Sequence, residues 1–133
     1  MLHYNFCYCA KILGDLNKIS TLILNQTEGK ALSKEKKPDG ILKVLNSKFN
    51  NTEIILTLGE KGSLYSFKDE LLKIKAHKLD TVDTTGAGDT FIGYYVAGIA
   101  SEISKKDNLN RASKAAAIAT TKLGGAESIP SIN

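Results

Sequence analysis

The run Asp83-Thr84-Thr85-Gly86-Ala87-Gly88-Asp89 holds the residue types best suited to chemistry in this chain. Three small residues directly before a helix leave backbone N–H groups uncovered, and those donors together with the helix dipole favour an anion. Asp89 sits just inside the turn, an acid beside a place built for negative charge. Were the anion only bound, this carboxylate would repel it. The arrangement makes chemical sense if Asp89 takes a proton from a hydroxyl that attacks a bound phosphate. A purely structural reading stands beside it, in which Asp89 caps the helix and the glycines turn the chain. Spacing alone leaves the two level, because short glycine-rich turns are common.

The other candidate positions are weaker when taken one at a time. Asn25 and Glu28 have the spacing of a helix cap with a first-turn acid, and in isolation that is the better reading. Gly59 and Gly62, around Glu60 and Lys61, suit a hairpin. Ser113 is a small residue that a helix tolerates. His3 and His77 have no partners at metal spacing, and Cys7-x-Cys9 has no second cluster to complete a zinc set. A dinucleotide oxidoreductase is disfavoured as well. Gly86-x-Gly88 lacks the third glycine of that fingerprint, and Lys106-Asp107, about 20 residues on, belong to a loop.

The elements that would position these residues can be read from periodicity. The apolar run Ile19 to Leu24 suits a buried strand, after which Asn25 or Thr27 caps a helix through Ala31 and Leu32. Pro38 opens a second helix with Ile41, Leu42, Leu45 and Phe49 on one face. Glu53 to Leu58 is a second buried strand. Ser63–Phe67 and Leu71–Lys75 alternate with period two and are expected to complete an antiparallel meander with one face in water. Phe91, Ile92, Tyr95, Val96 and Ile99 mark a largely buried helix. Ser104 or Asp107 caps a final helix through Ala112, Ala115 and Ala119, which Gly124-Gly125 should end. Strands interspersed with helices argue for an α/β layered fold.

Composition sets the outer limits. A chain of 133 residues, 42% hydrophobic and 24% charged, is neither disordered nor collagen-like and can bury a core. No apolar run has the length of a membrane span, and no basic residue precedes an apolar stretch at the start, so neither a membrane nor a secretory route is expected. Two cysteines cannot build a disulfide framework, which points to a reducing, cytoplasmic setting. The net charge of +4 comes from residues 1–50, where eight Lys face four acids. A weak lysine excess of this kind suits a solvated face, and nucleic acid is not expected as a partner. Both cysteines and three of the nine aromatic residues crowd into the first ten positions, so residues 1–15 are set apart from 16–133 as an atypical segment.

Taken together, the motifs resemble one family. Asp83 to Asp89, continued by Thr90-Phe91, is similar to the C-terminal signature of the ribokinase (PfkB) carbohydrate kinases. Asn25-Gln26-Thr27-Glu28 resembles that family's Asn-x-x-Glu motif. Thr57 to Gly62 resembles its nucleotide-binding strand and turn, and Ala115–Ser128 its closing helix and loop. The four stand in family order and cover about residues 16–132. The resemblance implies a ribokinase-like α/β fold, a parallel-type sheet flanked by helices with a small antiparallel meander, and ATP-dependent phosphorylation of a sugar, ribose first. It implies Asp89 as catalytic base at the substrate hydroxyl and the amides of Gly86, Ala87 and Gly88 as an anion hole. It further implies Asn25, Thr57, Gly59, Glu60, Lys61, Gly62, Gly88 and Ser113 on the ATP side, with Glu28 serving Mg²⁺ through water. A K⁺ ion would be held by Asp83, Ser128 and the carbonyls of Thr85, Ala119, Lys122 and Gly124.

Two departures qualify the resemblance. Tyr94 stands where the signature has Ala or Gly, and Ile92 where it has a small polar residue. Family members are also about twice as long, their first half supplying a glycine-rich signature, further strands and a lid that often forms the dimer. A chain without these is expected to be the C-terminal half, its odd opening residues the product of an altered start or frameshift. Self-association, if any, would not use the lid. The alternative activity is a non-catalytic nucleotide-binding remnant, inactive or dependent on a partner chain.

Overall fold

The structure is a computed structural model that describes residues 19–123 and 130–131. Segment 1–15, with His3, Cys7 and Cys9, lies outside the described residues, as do Gly124 and Ser128. The described residues form two compact units, 19–59 with 63–73, and 60–62 with 74–123 and 130–131.

In the first unit the apolar run after Ile19 becomes strand β1 (Thr21–Asn25). Its last residue caps helix α1 (Gln26–Ser33), so strand and helix join without a loop. Pro38 takes the first turn of helix α2 (Pro38–Lys48), where its missing N–H costs nothing. Strand β2 (Glu53–Thr57) then pairs parallel with β1 in the register Leu22↔Ile54 and Leu24↔Leu56. A 3-10 turn at Gly59–Lys61 reverses the chain into β3 (Ser63–Phe67), antiparallel to β2, and β4 (Glu70–Ile74) forms the far edge. The sheet is therefore mixed, in the order β1-β2-β3-β4.

Leu22, Leu24, Ile54, Leu56 and Leu64 line one face of this sheet and pack with Ile41, Leu42 and Leu45 of α2 and with Phe49 just past its end. Each such residue, fully buried, contributes roughly 1.5–3 kcal/mol relative to exposure. Ile23, Ile55 and Tyr65, in register on the other face, are buried to the same degree. Beneath them Glu53 accepts from Thr21 Oγ1 at 2.9 Å and from Tyr65 Oη at 2.8 Å, tying three strands together. The expected meander with one face in water needs correcting at β3. Residues 63–66 are buried on both faces, and only β4 keeps an outward row, at Leu71 and Lys73.

The second unit is built on helices α3 (Ala87–Ala100) and α4 (Lys105–Ala119), so Lys106 and Asp107, expected in a loop, lie instead in the first turn of α4. Ser104 caps α4, its Oγ accepting from Asp107 N at 3.3 Å. Between the helices Glu102 adopts a left-handed φ of 55° while Ile103 N donates to Gly98 O, which closes the end of α3. The helices meet along Thr90, Phe91, Tyr94, Tyr95 and Gly98 on α3 and Asn108, Leu109, Ala112, Ala115 and Ala119 on α4.

Two expectations shift here. Val96 and Ile99 are 44% and 45% exposed, so the buried stripe of α3 is rotated toward Tyr94 and Gly98. Apolar periodicity missed this because a glycine facing a buried asparagine carries no hydrophobic signal. Helix α4 also ends at Ala119, before Gly124-Gly125, because Thr120 and Thr121 turn their hydroxyls back onto Ala117 O and Ile118 O. Among the described residues no helix is long and apolar enough to cross a membrane.

Candidate functional site

In the first unit the candidate residues gather at the C-terminal ends of the two parallel strands. Asn25 and Thr57 are direct register partners there, and ligands of open α/β sheets bind at that end. Asn25 and Glu28 form a complete capping box. Glu28 N donates to Asn25 Oδ1 and Asn25 N donates to Glu28 Oε2, both at 2.9 Å. The helix-cap reading of these residues is thus realised, and it fixes both side chains by one oxygen each. Asn25 Nδ2 and Glu28 Oε1 make no hydrogen bond among the described residues. Thr57 Oγ1 donates to Leu24 O at 3.2 Å, so the hydroxyl is oriented by the neighbouring strand.

The two glycines of the following turn differ in what they do. Gly59 has φ +60° with open space where a Cβ would lie, so its backbone is approachable. Gly62 has φ +96° and is buried. A Cβ there would stand 2.0 Å from Ile74 O and 2.9 Å from Ala76 N, both backbone atoms. Gly62→Ala is therefore expected to destabilise the chain by about 3 kcal/mol or more, from strain plus overpacking. Gly59→Ala, strained but unobstructed, should cost about 1–2 kcal/mol. Urea unfolding of the two variants gives the comparison, and equal losses would show that the Ile74 contact is not what Gly62 answers to. Glu60 and Lys61, between them, are exposed.

In the second unit the run from Asp83 to Asp89 folds as a tight approach to α3. Thr85 N donates to Asp83 Oδ1 at 2.9 Å, an aspartate turn that aims the loop. Gly86 takes φ 82° and ψ −2°, and its carbonyl receives both Thr90 N at 2.9 Å and Thr90 Oγ1 at 2.8 Å. No side chain caps this helix. Its opening amides have no acceptor inside the helix. Ala87 N reaches Thr84 O at 3.2 Å, a long bond. Gly88 is exposed, with open space where a Cβ would lie, and Asp89 is exposed in the first turn. Donors and carboxylate thus share one helix end.

The same loop is fastened to the far end of α4. Val82 N and Asp83 N both donate to Thr120 O, at 2.7 and 3.0 Å. The carbonyls of Ala116, Ala117 and Ile118 are also taken, by the amides and hydroxyls of Thr120 and Thr121. Ala119 O, between them, accepts no hydrogen bond among the described residues. A helix C-terminus presents partial negative charge, and an uncommitted carbonyl there beside the Asp83 loop suits a hard monovalent cation. Lys122 is exposed just beyond, and Ser113 is half-buried midway along α4. The structure so brings Asp83 and Thr85 to the end of α4. Thr120, which holds them there, carries no signature in the sequence because it acts through its backbone.

Tyr94 is also more than a misfit. It is 7% exposed, and its hydroxyl lies 2.5 Å from Pro130 O and 2.6 Å from Ser131 O. The Arg111 guanidinium sits 5.4 Å from the ring centroid. This large side chain does not point outward; it is buried and donates toward the carbonyls of Pro130 and Ser131.

The sequence profile of the pfkB family carbohydrate kinases matches residues 8–132, a range that begins inside the compositionally odd opening segment. A ribokinase of Schizosaccharomyces pombe is 36% identical over 131 residues, which cover 98% of this chain and 40% of the relative. The crystal structure of ribokinase from Cryptococcus neoformans var. grubii, in complex with ADP, superposes with a TM-score of 0.74 at 36% identity, over 86% of this chain and 42% of that one. Arabidopsis thaliana ribokinase complexed with ribose and ATP gives 0.78 at 26% identity, over 86% and 39%. The chain thus spans about two-fifths of the length of these relatives. A match along nearly all 133 residues, on a ribokinase-like α/β fold with the Asp83–Asp89 loop at its helix end, makes this chain a member of the pfkB family of carbohydrate kinases.

Proposed function

We propose that the chain carries out ATP-dependent phosphoryl transfer to a hydroxyl of a sugar, ribose first, with Asp89 as general base. The observation that carries this reading is the end of α3, where a left-handed Gly86 presents uncapped opening amides and the Asp89 carboxylate from one rigid element. Asp89 would take the proton of the attacking hydroxyl as its oxygen bonds to the γ-phosphorus and ADP leaves. The amides of Gly86, Ala87 and Gly88 would meet the charge on the transferred group with donors already fixed in place. Asn25, Thr57 and the turn from Gly59 through Glu60 and Lys61 to Gly62 would face the nucleotide, with Ser113 toward its base. Family membership and the names of the relatives, ribokinases among them, support the substrate class.

Two ions belong to this reading, and the residues present suit both. Glu28 keeps Oε1 uncommitted by its capping box, which fits Mg²⁺ held through water beside the ATP phosphates, where it would neutralise their charge. Asp83 and the carbonyls of Thr85, Lys122 and Ala119, the last accepting no hydrogen bond among the described residues, would supply an oxygen-only set for K⁺; Gly124 and Ser128, expected in the same set, lie outside the described residues. Bound there, the cation would add positive charge near the anion hole.

Coupled ADP release with ATP, Mg²⁺ and K⁺, tried on ribose, fructose and nucleosides, tests the reading alongside ATP titration by calorimetry. Ribose-dependent turnover is the expected result. A second reading is a nucleotide-binding chain that needs a partner chain or does no chemistry. ATP binding without turnover on any acceptor would establish that second reading and defeat the first.

A further inference from the structure

Strand β4 stands last in the sheet order, so among the described residues no strand pairs with its outer edge. An open edge is a template for another strand, and proteins blunt it with charge, proline or a cover. This edge is only partly blunted. Leu71, in its outward row, is 62% exposed, with the exposed Lys73 two residues on. Two residues back stands Asp69, also exposed, in the turn of Lys68 and Asp69 that joins β3 to β4. Glu70 adds a second exposed acid at the same end. The edge thus runs from acid to base, and Asp69, Leu71 and Lys73 follow one another at the period-two spacing of one sheet face.

That order is complementary to itself when reversed. Two antiparallel strands related by a two-fold axis normal to the sheet keep their faces aligned only when odd residues meet odd and even meet even, because side chains alternate. An axis at Leu71 sets Leu71 against the partner's Leu71 and Asp69 against the partner's Lys73, twice over. An axis at Leu72 would oppose Leu71 to the partner's Lys73, and one at Lys73 would oppose two like charges, which destabilises a cross-strand pair. We propose that β4 is a homodimer interface, in which β4 of a second copy adds antiparallel to this edge about a two-fold axis at Leu71. Two four-stranded sheets then become one continuous sheet. Main-chain hydrogen bonds supply the attachment, and the side-chain pairs set the register. One short strand from each copy is a small contact, so the dimer exchanges reversibly with monomer. The inference is independent of the phosphoryl-transfer reading, none of whose residues lies on β4.

The test is sedimentation velocity of the full 133-residue chain over a concentration series. Expected for the unmodified chain is a monomer–dimer equilibrium whose Kd rises with added salt, because exposed charge pairs are screened. Asp69→Lys and Lys73→Glu each turn both cross-strand attractions into repulsions, so each variant alone should raise Kd at least about tenfold. An equimolar mixture of the two variants again sets a base opposite an acid at both positions. It should dimerise with a Kd within about threefold of the unmodified chain's. Both positions are exposed, so neither change threatens the fold, and circular dichroism checks that it is kept. A chain that stays monomeric throughout the series overturns the proposal and leaves the edge to solvent or to a strand of another protein. Self-association that ignores both reversals also overturns it, by placing the contact elsewhere. So does association lost in each variant and not regained in the mixture, which would deny the antiparallel register.

Discussion

Asp89→Asn is expected to lower ribose-dependent ADP release by roughly 10²–10⁴-fold while ATP affinity stays within about threefold. The size of the effect decides between base and cap. An acid in a first helical turn stabilises its helix by only about 0.3–1 kcal/mol, so a lost cap could slow turnover by at most about fivefold through misplacement. Asparagine keeps the shape and the polarity but cannot accept the proton. The sign of the affinity change adds a second check. Asp89 is exposed beside the opening amides of α3, where a carboxylate repels phosphate, so its neutralisation should leave ATP binding unchanged or slightly tighter. Initial rates and calorimetric titration of the two proteins provide both numbers. Turnover of Asp89→Asn within tenfold of the unmodified chain would remove Asp89 from the chemistry. If the chain is instead a nucleotide-binding remnant, the two proteins bind ATP alike and neither releases ADP.

What the sequence disclosed and what it hid divide along physical lines. Local chemistry was legible: Pro38 in a first turn, Asn25 with Glu28 as a capping pair, and Ser104 as a cap all stand where their side chains dictate. So were β1 and β2, whose apolar runs need no partner to be recognised. Burial by distant chain was less so, and β3 reads as half-exposed from its alternation although residues 63–66 are all buried. Contacts made by backbone left no trace at all. Thr120 O receives two amides from a loop nearly 40 residues earlier, and Pro130 O and Ser131 O meet a tyrosine on α3. Of the candidate site, the loop from Asp83 to Asp89 and its helix were apparent from glycine and acid placement, whereas the fastening of that loop to α4 was not. Gly59 and Gly62 look alike in the sequence and share a positive φ, yet only Gly62 is obstructed, by backbone at the end of β4 and just after it.

Gly98→Ala should be among the most damaging single changes in the chain, at about 3 kcal/mol or more. A Cβ on Gly98 would fall 1.7 Å from Asn108 Oδ1, 2.3 Å from Cγ and 2.8 Å from Nδ2. All three atoms are at the end of one side chain, so relief requires that side chain to leave. It is 1% exposed, and its Nδ2 donates to Tyr95 O at 2.9 Å, which fixes the amide between the two helices. Moving it breaks that bond and leaves a buried donor unpaired, at about 1–3 kcal/mol, on top of the steric cost. Against this, alanine improves a helix interior by only about 1 kcal/mol over glycine. The clash wins. Asn108 Oδ1 has no hydrogen-bond partner among the described residues, so Asn108→Ala removes one unsatisfied acceptor along with one good bond and should cost only about 1 kcal/mol. The double variant Gly98→Ala/Asn108→Ala is then expected to be more stable than Gly98→Ala alone, with a coupling of about 2 kcal/mol. Urea unfolding followed by circular dichroism closes the cycle. Additive losses would mean that the asparagine can step aside at no cost, and that the α3–α4 interface does not depend on this pair.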